Sequence, residues 1–300
     1  MATDAQATAD EKPRKPRRER LDVLLVQRGL APSRERARAI ILAGEVHVNG
    51  RVSTKAGMLV PVEAEVELVG RADELRFVSR GGLKLERALD AFGLDPAGCV
   101  CLDAGASTGG FTDALLRRGA ARVYAVDVGH GQMAWTLRND PRVVVMERTN
   151  IRHLQSLPEP IDGVVIDVSF ISLRLVLPRI ASLVREGAWG VALVKPQFEA
   201  GRAEADRGAG VISDPAIHRR VLRELLAWLE QMQIEGDHRR LYPQGLIASP
   251  ITGREGNAEY LLWFKASAAP DVATDIKDSH VGTSEVEAAV AAAFSDVLLA

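Results

Sequence analysis

The sequence predicts an α/β fold: a doubly wound, mostly parallel sheet closed by a C-terminal antiparallel hairpin, with a small α+β domain ahead of it. Three observations predict it. Apolar strand segments alternate with helical stretches between residues 100 and 194, the pattern of a parallel sheet with helices on both faces. Two later strand segments, 245–248 and 258–264, have no helix between them and should pair as a hairpin. Nearer the N-terminus, Asn49-Gly50 follows the alternating Val46 and Val48, the strongest short-range hairpin signal. At 300 residues the chain exceeds the usual single-domain size. Its 47% hydrophobic and 26% charged residues are ordinary for a globular protein and exclude a largely disordered or fibrous chain.

The elements follow in order. Residues 1–18 are polar with no apolar face and read as a disordered basic tail. Leu21, Leu24 and Leu25 recur at helical spacing, and Gly29 ends that helix. Pro32-Ser33 opens a second helix, with Ser33 as N-cap and Glu35 in its first turn. Ala37, Ile40 and Ile41 form its buried stripe, Arg34 and Arg38 lie four apart on another face, and Gly44 closes it. Val46 and Val48 run into the Asn49-Gly50 turn, Val52 begins the return strand, and 65–69 is a further strand. The small domain thus covers 19–70, and 71–78 is a linker. Residues 84–92 read as a helix with Leu85, Ala88, Leu89 and Phe92 on one side. Strands are expected at 100–104, 122–127, 142–146, 163–168 and 190–194, with helices near 111–118, 132–138 and 173–185. A long amphipathic helix, 214–232, precedes the hairpin, so the second domain covers 79–266. Residues 267–300 form an acidic, Ala-rich tail in which 284–299 has helical spacing, with Val286, Val290, Ala293 and Val297 on one face.

Charge is unevenly spread. Between residues 12 and 55, twelve Lys or Arg face four acids, although the whole chain is at −2. A compact basic unit on an acidic body points to a polyanion partner. Arg34, Arg38 and Arg51, with Arg20 at the end of the basic tail, are the candidate phosphate contacts. Cys99 and Cys101 are too close in an extended run to bridge well, which argues against a disulfide scaffold and for a reducing compartment. No stretch of about 18 uncharged apolar residues suggests a membrane span. The first ten residues lack an apolar export region, so the cytoplasm is the expected location. The six His show no ligand spacing, and no metal is expected.

Strand 100–104 runs into Asp103-Ala-Gly105-Ala106-Ser107-Thr108-Gly109-Gly110. Glycines let the backbone turn sharply and approach a ligand. The spacing Gly-x-x-x-Gly-Gly is not the dinucleotide pattern Gly-x-Gly-x-x-Gly, which disfavours a nicotinamide reductase. It looks like an S-adenosylmethionine loop, which needs room for a methionine tail rather than a pyrophosphate. Asp127 lies 22 residues beyond Gly105 at the end of the next strand, where an acid can bond ribose hydroxyls. Asn150, after the third strand, falls where an adenine edge is read.

Asp167 and Lys195 end the fourth and fifth strands, and the carboxyl ends of parallel strands are where sites form in such sheets. Lys84 starts a helix after Ser79-Arg80-Gly81-Gly82, and Glu259 opens the last strand. Methyl transfer from a sulfonium needs in-line attack, and a ribose hydroxyl is a poor nucleophile until it loses its proton. A neutral Lys can take that proton, and a second ammonium nearby favours the neutral form. Asp167 would orient the pair and balance its charge, and Glu259 would hold the other lysine. General-base help of this kind gives about 10²–10⁴-fold.

At these motifs the sequence resembles the TlyA-type ribosomal RNA 2′-O-methyltransferases, often called hemolysin A-like. The resemblance covers roughly 20–266. It rests on Arg20-Leu-Asp-Val-Leu-Leu-Val26, Val78-Ser-Arg-Gly-Gly-Leu-Lys84, Asp103-Ala-Gly-Ala-Ser-Thr-Gly-Gly-Phe111, Asp167-Val-Ser-Phe-Ile-Ser172, Val194-Lys-Pro-Gln-Phe-Glu199 and Gly256-Asn-Ala-Glu-Tyr260. It implies an S-four-type RNA-binding domain and a Rossmann-like methyltransferase domain similar to FtsJ. The Lys-Asp-Lys-Glu tetrad of such enzymes falls on Lys84, Asp167, Lys195 and Glu259. The implied cofactor, S-adenosyl-L-methionine, falls to Asp103 and the loop Gly105, Ala106, Ser107, Thr108 and Gly109, with Phe170 near the methyl donor. The implied product is 2′-O-methylcytidine in ribosomal RNA, and the implied partners are ribosomal RNA or ribosomal subunits, without membrane or metal. Small-subunit, large-subunit or both RNAs stay open as substrate.

Two rival readings are a non-catalytic RNA-binding or ribosome-assembly factor and a membrane-active hemolysin. The presence of all four candidate catalytic residues argues against the first. The lack of a spanning segment, and of a basic polar face on 284–299, argues against the second. Trp135 and Trp228 sit in helical patterns and are expected in the core, and Trp263 is expected to pack within the last strand.

Overall fold

The computed structural model describes residues 17–31, 33–42, 44–68, 76–201, 204, 208, 210–232, 239–253, 255–268 and 281–295. The chain divides into two compact units, Met1–Gly70 and Arg71–Ala300.

In the first unit, helices α1 (Leu21–Gln27) and α2 (Arg34–Leu42) bury the apolar positions that their periodicity marks. Leu21, Leu25, Ala37, Ile41 and Val46 are fully excluded from solvent. Ser33 Oγ accepts the Arg36 amide at 3.2 Å, which caps α2. Strands β1 (Arg18–Arg20), β2 (Val46–Val48), β3 (Arg51–Val52), β4 (Leu59–Pro61) and β5 (Val66–Leu68) form two small sheets, β1-β4 and β3-β2-β5. The β2–β3 turn has Asn49 at φ +50 and Gly50 at φ +74, the left-handed pair that a two-residue hairpin demands. Arg17 and Arg18, expected in the disordered tail, take part in the sheet β1-β4. Arg18 pairs with Pro61 in an antiparallel register, and the Arg17 carbonyl accepts the Val62 amide. The remainder of the expected tail (1–16), Pro32 and linker residues 71–75 lie outside the described residues, as do 269–280 and 296–300, which include Val297.

The second unit is built on seven strands: β6 (Val100–Ala104), β7 (Arg122–Val126), β8 (Val143–Met146), β9 (Ile161–Ile166), β10 (Val184–Val194), β11 (Arg239–Ala248) and β12 (Tyr260–Ala268). Their order is β11-β12-β10-β9-β6-β7-β8. The five strands from β8 across to β10 are parallel, and β12 is antiparallel to both β10 and β11. The winding reverses between β6 and β9, the switch point where a crevice opens at the carboxyl ends of the strands. Helices α3 (Gly81–Phe92), α4 (Gly110–Arg117), α5 (Trp135–Arg138), α6 (Leu177–Leu183), α7 (Pro196–Glu199), α8 (Pro215–Gln231) and α9 (Thr283–Ser295) complete it. One core gathers Leu85, Leu89, Phe111, Leu115, Val123 and Val191. The other gathers Leu102, Tyr124, Ile166, Ile180, Leu225 and Phe264.

Two segments differ from expectation. The helix expected over 173–185 is a 3₁₀ turn (Leu173–Leu175) followed by α6, and residues 184–194 are already strand. Pro178 explains the break, because it fits only the first turn of a helix. The helix expected over 132–138 is a single turn, and Trp135 is exposed rather than in the core. Trp263 packs as expected, its ring 5.5 Å from that of Phe92. The acidic tail is not loose where it is described. Helix α9 buries Val286, Val290 and Ala293 in the second core, and Arg219 and Arg223 of α8 both bond Glu287, at 2.6 and 2.7 Å.

Val290→Asp should therefore remove roughly 3 kcal/mol or more of this unit's stability, since it puts a carboxylate where no water reaches. Thermal melting followed by tryptophan fluorescence tests it, because all four tryptophans lie beyond residue 130.

Candidate active site

The loop before α3 and the first turns of α3 and α4 set the position of Lys84. Gly82 lies against Phe77, where a Cβ would come within 2.2 Å of the ring. A Cβ on Gly110 would come within 2.3 Å of Ser79 Oγ and 3.0 Å of the Gly82 nitrogen. Only bare backbone lets these helix starts touch, which is the physical content of Ser79-Arg80-Gly81-Gly82. Lys84 then projects from α3 as a buried side chain, and its Nζ bonds Glu259 Oε2. Glu259 is itself 4% exposed.

Sheet register brings the other pair alongside. Val194 of β10 pairs with Tyr260 of β12 at the end of their shared ladder, and Lys195 and Glu259 are the residues next to that pair. Lys195 Nζ lies 2.7 Å from Asp167 Oδ1, a close ion contact rather than an aligned hydrogen bond, and donates to Ser169 Oγ at 2.8 Å. Two ion pairs thus form, Asp167 with Lys195 just beyond the ends of β9 and β10, and Lys84 with Glu259 just before β12.

Around Lys195 the motif Lys195-Pro-Gln-Phe-Glu199 folds as α7. The Phe198 ring lies 6.0 Å from Lys195 Nζ and 5.1 Å from the Phe170 ring. Phe170 is 91% exposed and has a left-handed backbone at φ +63, a strained state for an aromatic residue. Glu199 accepts the Ser172 hydroxyl at 2.6 Å and the Leu173 amide at 2.7 Å, so it ties the Phe170 loop to α7, and burial raises its pKa.

The glycine loop meets this rim. Gly105 has φ +90, and a Cβ there would come within 2.5 Å of the Asp167 carbonyl. Gly109 has φ +95 and lies against Leu137. Both glycines are thus demanded by backbone angle and packing. Ser107 also has a positive φ, and Asp127 Oδ2 accepts its amide at 2.8 Å while Oδ1 accepts that of Gly129 at 2.6 Å. Ala106 is buried, and the Thr108 carbonyl accepts the Ala134 amide. Asn150 Oδ1 accepts the Arg152 amide and caps a 3₁₀ turn. Beneath the loop, Asp103 is fully buried. Its Oδ2 accepts the Thr112 hydroxyl at 2.6 Å, and its Oδ1 has no partner. Burial pushes its pKa up to about 7. A buried carboxylate oxygen left unpaired at a strand end is chemically matched to a cationic ligand group.

In the first unit, three of the four expected phosphate contacts converge. Arg20, Arg34 and Arg38 all bond the buried carboxylate of Asp22, and Arg51 on β3 takes no part. The hydrogen bond from Arg20, with those from Arg34 and Arg38, holds Asp22 well below the usual carboxylate range against the opposing effect of burial.

Comparison with known proteins accords with this geometry. The FtsJ-like methyltransferase family matches residues 77–266, and the S4 domain family matches 19–66. The chain belongs to the FtsJ-like methyltransferases. Within them it is a TlyA-type member. It is 49% identical over 253 residues to the Mycobacterium tuberculosis protein named 16S/23S rRNA (cytidine-2′-O)-methyltransferase TlyA, covering 83% of this chain and 90% of that one. Hemolysin A of Brachyspira hyodysenteriae is 40% identical, over 82% of this chain and 99% of its own. A solved hemolysin-named protein of Streptococcus thermophilus superposes with a TM-score of 0.69 at 39% identity, over 94% of this chain and 97% of that one.

In this FtsJ-like chain the structure links Lys84 to Glu259 and Lys195 to Asp167, and β12 lies next to β10 in the sheet. Sequence reasoning missed Ser169, Phe198 and Glu199 as members of the site, although all three lie inside motifs it singled out. It also missed Asp22, which the periodicity of α1 gives no reason to bury. Among the described residues, no group of His, Cys, Asp or Glu could hold a metal ion, and no helix is long and apolar enough to cross a membrane. Both cysteines are free.

The raised Asp103 pKa carries a sign. Between about pH 4 and pH 7 the native carboxyl keeps a proton that the unfolded chain has lost, so this group removes stability as pH rises. Asp103→Asn should leave stability near pH 4 unchanged. Above pH 7 it should add on the order of 2–4 kcal/mol, read as a pH series of denaturant melts by tryptophan fluorescence.

Proposed function

We propose that the chain methylates the ribose 2′-hydroxyl of a cytidine in ribosomal RNA, with S-adenosyl-L-methionine as methyl donor and a lysine as the proton acceptor. The observation that carries this reading is the two ion pairs, Asp167 with Lys195 and Lys84 with Glu259, with Gly105 of the glycine loop packed on the Asp167 carbonyl. The M. tuberculosis relative is named for this cytidine chemistry, and the S4 match supports an RNA partner.

The residues present fit the cofactor. The unpaired Asp103 Oδ1 suits a cationic ligand, and Asp103, Gly105, Ala106, Ser107, Thr108, Gly109, Asp127 and Asn150 would hold it, with Phe170 beside the reacting end. Bound there, S-adenosylmethionine supplies an electrophilic methyl group on a sulfonium. The protein's task is then to deliver a ribose oxygen without its proton. Lys195 Nζ accepts that proton, Asp167 and Ser169 hold the amine in place, and Glu259 holds Lys84. The cytoplasm, where ribosomes are built, is the corresponding location.

Lys195→Ala should lower methyl incorporation into ribosomal RNA by about 10²-fold or more while the protein still melts cooperatively. The measurement is transfer from labelled S-adenosylmethionine, with mass mapping of the RNA. Survival of labelling at the parent rate would remove the lysine from the mechanism.

A further inference from the structure

The cluster on Asp22 has more positive charge than a structural ion pair needs. Asp22 sits in the first turn of α1 with its carboxylate fully buried. Arg20 grips it with Nε at 3.0 Å and a terminal nitrogen at 3.1 Å; a terminal nitrogen of Arg34 lies at 3.2 Å and Arg38 Nε at 3.1 Å. One arginine would neutralise Asp22. Three exceed Asp22 by two positive charges, offset in part by Glu19 beside Arg20, on guanidiniums that are each about half exposed. Arg34 and Arg38 are one turn apart on α2. Arg20 is fitted over Gly57, where a Cβ would come within 3.3 Å of its terminal nitrogen. Without a common acceptor, like charges this close repel, and their long side chains regain rotamer freedom. A phosphodiester oxygen is the natural complement to such a fork, because guanidinium matches its geometry. The bases offer this unit little else: none of the Phe, Tyr or Trp residues lies among residues 1–70, so it has no such ring on which to stack them.

We propose that Asp22 is a positioning residue, which assembles Arg20, Arg34 and Arg38 into a binding site for the phosphate backbone of RNA. The proposal rests on the reading that the first unit binds RNA, and it gives that reading a buried anionic keystone. Its signature runs against simple charge counting. Removing an anion from a basic unit should tighten RNA binding and steepen its salt dependence if charge alone matters. If Asp22 positions the arginines, removing it does the opposite.

The test uses the full chain and a fluorescein-labelled ribosomal RNA stem-loop, with anisotropy titrations at a series of KCl concentrations. Asp22→Asn should weaken binding about tenfold and flatten the slope against log salt by about one. Unchanged or tighter binding overturns the proposal. Should Asp22→Asn lose its far-ultraviolet circular dichroism, the paired Arg34→Lys and Arg38→Lys variant decides, since it keeps the charge and discards the fork. A severalfold loss supports positioning, and unchanged affinity overturns it. Arg34→Ala with Arg38→Ala separates the two levels. If that variant weakens binding while Asp22→Asn does not, positioning alone fails. If it leaves affinity and slope untouched, the RNA-binding reading of this unit fails, and the proposal with it.

Discussion

Two ammonium groups cannot be buried as neighbours at the edge of a sheet unless each brings its own counter-charge. This constraint organises the second unit. Lys195 is met by Asp167 from the adjacent parallel strand, and Lys84 by Glu259 from the antiparallel one. The second pairing depends on β12 lying between β10 and β11. A purely parallel sheet would begin that strand at the opposite edge and leave Lys84 unmatched. The glycines of α3 and α4 serve the same end, because they let the first turn of α3 settle close enough for its lysine to reach Glu259.

The same device recurs in the first unit with the proportions changed. A single buried carboxylate holds three guanidiniums there, so the cluster stays cationic, whereas the site in the second unit balances two cations with two anions. A charge-balanced site suits proton transfer within a closed chemical step. A surplus of positive charge suits a polyanion whose own charge completes it. Both arrangements use acids to hold bases in place.

Much of this was legible in the sequence. The strand-helix alternation, the terminal hairpin and the Asn49-Gly50 turn follow from local periodicity and turn chemistry, which need no tertiary partner. Asp167 and Lys195 were placed by the rule that sites form at the carboxyl ends of parallel strands. Lys84 and Glu259 were not, since nothing local fixes a residue at a helix start or before an antiparallel strand relative to a distant lysine; the family resemblance supplied them. The helix over 173–185 is shorter than expected because Pro178 fits only its first turn, and no local signal marks the passage into β10 at Val184. Trp135 was misjudged because a single helical turn has no opposite face to bury. The docking of helix α9 is not legible locally, because its small residues gain their value only against α8 and β11.

Strand β12 occupies the interior of the sheet although it is made after the strand it separates from β10. During synthesis, β11 therefore emerges with no neighbour to accept it, and β10 keeps one row of backbone amides and carbonyls open until residues 260–268 leave the ribosome. The nascent protein carries an unpaired sheet margin for that interval, the kind of surface that invites mispairing or chaperone capture. The Lys84–Glu259 pair thus forms late, when a single insertion both seals the sheet and delivers Glu259.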